Sequence, residues 1–382
     1  MTQPNYPQAL AVVRLRVEHA SIISSHLTWG FPSPTAFVGF GHALERQLQA
    51  KGLDLNIVGV GVVCHAFHPQ VDDSGYTLQL NLARHPLESN GSAPALVEEG
   101  KAHLDVSLLL GLTGSHLLSV WPSDDQQVSP ETKAFLDQLY GQMLQMRLAG
   151  GSVFAHRTRP QLMAWSSGDV SKQSRKLYRR LLPGFSVMDR SELIATHQTW
   201  LAQHPPFRAQ AASADAMPTR LDTLLDLARL NIGADPSFDD SETPEDVSSN
   251  DSLSQQTDVE ADPSNATVKW RVRPRPAHQQ GWLVPVPLGY GALTDVQPAG
   301  SVDGARDDQS PVVFVESLIG LGEWISPHRI TDLASTLWAY HPDTEHGVYR
   351  VYQPFATDAQ TPASYLQYTT NPHNISLDSE DY

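Results

Sequence analysis

Hydrophobic and polar positions alternate from the start of the chain. After an apolar entry at Ala9, Val13, Leu15 and Val17 point one way and Arg14, Arg16 and Glu18 the other, which predicts a strand. The period then changes. In SPTAFVGFGHALERQLQAKG, Phe37, Phe40, Leu44 and Leu48 recur at helical spacing, with Ser33 at the N-cap, Pro34 in the first turn and Gly52 as the stop. LNIVGVGVVCHAF (55–67) is a β-branched run suited to a buried strand, YTLQLNLARH (76–85) alternates again, and KAHLDVSLLLGL (101–112) predicts a further strand. SPETKAFLDQLYGQMLQMRL (129–148) predicts a second capped helix with Phe135, Leu139, Met143 and Met146 on one face. The glycine pair of LAGGS ends it, and SVFAHRTRPQLMAW returns as a strand.

This order predicts an α+β fold: an RRM-like or ferredoxin-like sheet over residues 1–165 with two helices on one face. Residues 166–232 read as an inserted helical lobe, made of the stretch around SRKLYRR, then RSELIATHQTWLAQH and TRLDTLLDLARLNIG. An acidic, Ser- and Pro-rich loop fills 233–266 and reads as disordered. Residues 267–353 complete the fold with further strands and a helix capped by Ser326 with Pro327 in its first turn, and 354–382 form a flexible tail.

Composition narrows the class. With 382 residues and 40% hydrophobic content the chain is long enough for two or more cores. The single Cys64 excludes an internal disulfide or a cysteine zinc cluster and fits a reducing cytoplasm. Neither a signal peptide nor a membrane span of roughly 20 apolar residues is expected. The net charge of −16 is unevenly spread: ten acids and no Lys or Arg lie between Asp235 and Asp262, and three more acids sit in SLDSEDY, leaving −3 elsewhere. Residues 147–190 hold nine Lys/Arg against Asp169 and Asp189. A near-neutral body with one basic region is compatible with a polyanionic partner.

The basic stretch has helical order. Lys172, Arg175, Lys176, Arg179 and Arg180 fall at i, i+3, i+4, i+7 and i+8, opposite Leu177, Leu181 and Leu182. A solvated face is the plain alternative, but same-signed neighbours repel there by a few tenths of a kcal/mol per pair, roughly, with no acid to compensate. A second cluster, Lys269, Arg271, Arg273 and Arg275, alternates as on a strand edge. In LAGGS, Gly150 can cap the helix while Gly151 leaves amides open to a phosphate; a simple helix stop competes with that reading. Gly39 and Gly41 lie inside a helix and suit close packing on a sheet, not a dinucleotide turn. Cys64, His65 and His68 lack a second ligand group, so no metal site is read there, and no cofactor is implied. G-x-S-x-G, P-loop and H-E-x-x-H motifs are absent, and no catalytic constellation stands out.

Several ordered segments carry a resemblance. LTWGFPSPTAFVGFGHALER, VGVGVVCH, VEEGKAHLDVSLLLGL, MRLAGGS, RRLLPGF, GWLVPVPLGYGAL and FVESLIGLGEWISPHR closely resemble the Csy-two family, the type I-F members of the Cas-five group. The matches run from about residue 10 to 350 and cover nearly the whole chain. The resemblance implies an RRM-like core with a helical thumb in a Csy (Cascade) surveillance complex of CRISPR defence. It implies a subunit that holds the 5′ handle of CRISPR RNA, pairs with the large Csy-one subunit and touches an adjacent backbone subunit. Target double-stranded DNA is then read by the guide. A separate endoribonuclease cuts the precursor RNA, which implies a non-catalytic role here. Combined with the charge pattern, the candidate RNA-binding residues are Arg147, Gly150, Gly151, Ser152, Arg157, Arg159, Lys172, Arg175, Lys176, Arg179, Arg180, Lys269, Arg271 and Arg273. Two alternatives stay open: an endoribonuclease using His156 or Tyr178, as one Cas-five branch does, and an RNA-independent protein adaptor. The acidic loop and the tail are longer than the family pattern.

Overall fold

Strand β1 (Ala9–Ser21) is the axis of the first sheet, and its alternation sets the two faces. The computed structural model describes residues 6–83, 87, 89–94, 97–120, 129–165, 172–204, 217–230, 232–235, 269–272, 275–305, 307–343 and 347–356. After β1 come helix α1 (Pro34–Ala50), β2 (Asn56–Pro69), β3 (Lys101–Thr113), α2 (Pro130–Met143), β4 (Arg147–Leu148), β5 (Gly151–Ala155) and β6 (Gln161–Ala164). The strand order is β4-β5-β1-β3-β2, every pairing is antiparallel, and β6 also pairs with β1. Ser33 and Ser129 cap the two helices, accepting from the amides of Thr35 and Thr132. One face of β1, from Ala9 to Val17 at odd positions, is buried with Phe37, Phe40, Leu44 and Leu48 of α1 and Phe135, Leu139 and Met143 of α2. Each fully buried Leu or Phe there stabilises by about 1.5–3 kcal/mol. Gly41 lets α1 approach, because a β-carbon at that position would run into Val60.

Helix α3 (Lys172–Arg180) covers part of the other face. Leu177 and Leu181 are buried with Leu10, Val12, Val63, Leu109, Met163, Leu333 and Leu337. A second sheet follows, made of β7 (Ser186–Asp189), β8 (Trp282–Ala292), β9 (Val315–Ile325), β10 (Ala339–Asp343) and β11 (Val348–Tyr352), in the order β7-β9-β8-β11-β10. All of this belongs to one unit, residues 1–192 with 281–382. A second unit spans residues 193–280. Its helices Leu193–Gln203 and Arg220–Ala228 are joined by a buried polar chain: Nε2 of fully buried His197 lies 2.8 Å from Asp226, and Nδ1 lies 2.8 Å from His278 Nε2. Strands Ile232–Asp235 and Lys269–Val272 pair antiparallel in this unit. The acidic 236–268 stretch and the 357–382 tail lie outside the described residues.

The fold class is α+β, as the pattern predicts, but four local expectations are corrected. The second helix stops at Met143, not Leu148. Among its described residues the 76–85 stretch holds only two-residue strands, since Asp72 draws the Ser74 amide into a side-chain turn and the chain doubles back to pair Val71–Asp72 with Gln79–Leu80. The 152–165 strand is broken into β5 and β6 at a connection containing Pro160, which has no amide to donate. The C-terminal helix is replaced by two 3-10 turns, Pro327–Arg329 and Leu333–Thr336. Ser326 does not cap there. Instead Asp332 accepts from Trp165 Nε1, from the Tyr6 hydroxyl and from the Ala334 amide, and Leu333, Ala334 and Leu337 are all buried. Those tertiary bonds override the local helix signal.

Candidate nucleic-acid interface

The glycine pair does not cap a helix. Ala149 and Gly150 are the two central residues of a β-hairpin turn, with φ of 49° and 75°, and Leu148 faces Gly151 across it. The Ala149 carbonyl accepts from the Ser21 amide at 2.8 Å, and Arg147 Nε donates to the Gly150 carbonyl at 3.0 Å. Gly151 is glycine for packing reasons: a β-carbon would stand 2.6 Å from the Glu18 carbonyl and 2.8 Å from the Ala20 nitrogen. Gly150 has open space around it, and Ser152 is exposed opposite Glu18. The tip therefore offers the exposed Arg147 guanidinium beside Gly150.

Next to the hairpin, the second face of the sheet is polar. Register places Arg16 between Asp105 of β3 and the exposed Phe154 of β5, and Arg14 opposite Ser107. Arg14 grips Asp105 with two hydrogen bonds of 2.8 and 2.7 Å, and His156 Nε2 lies 4.0 Å from the same carboxylate. Burial pushes the Asp105 carboxyl up, yet the Arg14 bonds and charge, with His65 and His156 nearby, outweigh it and hold it below the ordinary value. Burial also pushes His156 down; Asp105 opposes this, and Arg14, Arg157 and Arg16 add to it. Arg157 and Arg159 are exposed on the connection from β5 to β6. The arrangement is a cationic sheet surface with one carboxylate already neutralised and one ring open for stacking.

His65 closes the boundary of that surface. Its Nδ1 can only donate to the Pro183 carbonyl at 2.7 Å, so neutral Nε2 accepts from the Ser107 hydroxyl at 2.7 Å. Burial pushes its pKa down, partly offset by Pro183. Both nitrogens are thus engaged by the protein. Burial, with Asp105, pushes the Cys64 thiol up to about 12. Among the described residues no group of three metal-ligating side chains comes together. Nor is any described helix long and apolar enough to cross a membrane.

The basic helix presents Lys176, Arg179 and Arg180 to solvent. Lys172 and Arg175 lie on the same helix, their side chains outside the described residues. Tyr178 is held inward: its hydroxyl donates to the Thr331 carbonyl at 3.1 Å, and burial, with Asp332, pushes its pKa up to about 12. Lys269 and Arg271 are on the strand of the second unit, their side chains likewise outside the described residues, as is the whole of Arg273. The structure brings Arg157 together with Arg14, Arg16, Phe154, His65 and Asp105, none of which was among the candidates read from sequence. The outward positions of Arg14 and Arg16 were a usable signal; their neighbours depend on register.

Taken together, the fold and site define an α+β protein with an arginine-rich, partly open sheet face. A family model described as CRISPR-associated protein (Cas_Csy2) matches residues 10–351. The CRISPR-associated protein Csy2 of Pseudomonas aeruginosa (strain UCBPP-PA14) is 40% identical over 355 residues, which cover 90% of this chain and 95% of that protein. The chain belongs to the Csy2 family of CRISPR-associated proteins.

Proposed function

We propose that this chain is a non-catalytic RNA-binding subunit of a type I-F CRISPR surveillance complex. It holds the 5′ handle of the CRISPR RNA and pairs with the large Csy-one subunit, while guide pairing reads the target DNA. A backbone subunit adjoins it, and the complex works in the cytoplasm. The observation that carries the RNA role is the open sheet face, where exposed Arg16 lies opposite the exposed Phe154, with Arg14 next along the strand and Arg157 exposed just after β5. Phosphates are drawn to the guanidinium groups, and an unpaired base can stack on the ring. The order β5-β1-β3-β2, with helices between β1 and β2 and between β3 and β5, supports an RRM-like, ferredoxin-like core, the architecture that uses its sheet this way. A non-catalytic role is supported by the suspects themselves. The Tyr178 hydroxyl is committed to Thr331, and His156 Nδ1 accepts from the Thr158 amide at 3.0 Å.

The test is RNA affinity as a function of salt. Replacing Arg16, Arg157 and Arg159 by Glu weakens binding of the co-purified RNA, and the log–log salt slope flattens by about 0.7 for each phosphate that is no longer neutralised. Unchanged affinity and slope would exclude this face as the RNA site. RNase digestion of the assembled complex separates an adaptor, which keeps its partner. Metal-independent cutting of repeat RNA by the purified chain would show an endoribonuclease.

A further inference from the structure

A column of aromatic rings runs from the core to the surface in the first unit. Phe37, fully buried, stacks on Phe31 at 5.5 Å and 12°. Phe31 meets Trp324 edge-on at 5.2 Å, Trp324 meets Trp282 across β8 and β9 at 6.0 Å, and Trp282 meets Phe185 at 6.1 Å and 76°. The last two are exposed, Trp282 by 59% and Phe185 by 44%. Their mounting is rigid. Phe185 exchanges backbone hydrogen bonds of 2.8 and 3.0 Å with Cys64, and Trp282 sits opposite Trp324 in the sheet. Nearby, Glu323 is neutralised by Arg190 at 2.9 Å. Rings fixed at one end lose little freedom when something stacks on the other.

Charge decides what that partner is. Phe185 follows the turn that leaves α3, five residues after Arg180 and six after Arg179, and Lys176, Arg179 and Arg180 are all exposed on that helix. Cations interleaved with aromatic faces are the pattern of single-strand nucleic-acid binding, in which phosphates follow the charges and bases stack without regard to identity. We propose that Trp282 and Phe185 form a base-stacking platform for unpaired nucleotides of the RNA whose phosphates run along α3. The proposal rests on the RNA-binding reading above and adds a second contact site to the sheet face.

The experiment uses the full chain and the RNA recovered from its complex, resynthesised with one abasic nucleotide at a time. Wild-type protein loses about tenfold in affinity at one or two positions. Trp282→Ala loses about tenfold with intact RNA and nothing further at those positions, and Trp282→Tyr restores binding; the Tyr variant and the wild-type abasic scan keep the test decisive if Trp282→Ala folds poorly. The proposal is overturned if Trp282→Ala and Phe185→Ala bind RNA like wild type while charge reversal at Lys176, Arg179 and Arg180 weakens it, an outcome that leaves the RNA-binding reading intact. It is equally overturned if the aromatic variants release a partner subunit with RNA affinity unchanged, which would make the platform a protein-docking face. If the aromatic variants and charge reversals on both α3 and the sheet face leave RNA affinity alone, the wider reading falls as well.

Discussion

The two ends of one sheet face behave as opposites. Both are built from even-numbered positions of β1 and their cross-strand neighbours. At one end Leu10 and Val12 are sealed beneath Leu177 of α3 and Leu181 just after it. At the other, Arg14 and Arg16 stand among Asp105, His156 and Phe154 with no helix over them among the described residues. The lesson concerns division of labour: a helix with apolar residues on its inner side seals the first end and keeps its cations in solvent, while the second end stays open. Buried packing and open polar surface are thereby separated along a single strand.

That contrast can be broken most forcefully at the sealed end. Leu181→Ala or Leu177→Ala is expected to cost about 2–5 kcal/mol in urea unfolding, because a cavity opens under the helix. A loss below about 0.5 kcal/mol would mean that the helix does not hold the sheet. The next effect is smaller and has two signs. Asp105→Asn removes the charged partner of Arg14 and should cost about 1–2 kcal/mol, while RNA affinity rises as the cationic surface is freed of that carboxylate. A fall in affinity would show that Asp105 positions Arg14 for the RNA. The smallest effect is a pH dependence. His65 has a folded pKa below its unfolded value, so the unfolded chain takes up protons first on acidification. The stability it contributes is complete above about pH 6.5 and declines as pH falls toward the folded value. His65→Gln should flatten the melting temperature between pH 7 and 5 relative to wild type; equal slopes would rule out a His65 contribution.

Much of the sealed half was legible in the chain. Alternation in β1 and the serine-capped periodic helices follow from contacts within one turn or one strand, and the amphipathic order of the basic stretch did place Leu177 and Leu181 inward, but not Leu182, which is exposed because the helix ends at Arg180. The open half was not, because its chemistry is non-local: Arg16 meets Phe154 and Asp105 only through pairings with residues some 90 and 140 positions away. LAGGS misled because a glycine with positive φ ends a helix as readily as it turns a hairpin, and only the strand beside it decides. The 327–336 segment misled because Tyr6 and Trp165, far off in sequence, claim Asp332.

One arrangement in the second sheet bears on how such a chain can vary. Strands β7 and β8 flank β9 and both run antiparallel to it, with Val187 and Trp282 both level with Trp324, so the polypeptide departs from the C-terminal end of β7 and re-enters at the N-terminal end of β8, which runs the same way. Everything from Leu193 to Gln280 is strung between those two points. A tether of a dozen residues would bridge them without altering any pairing in the host sheet. Strand pairing in the host sheet therefore sets a lower bound on the length of the intervening segment, and no upper one.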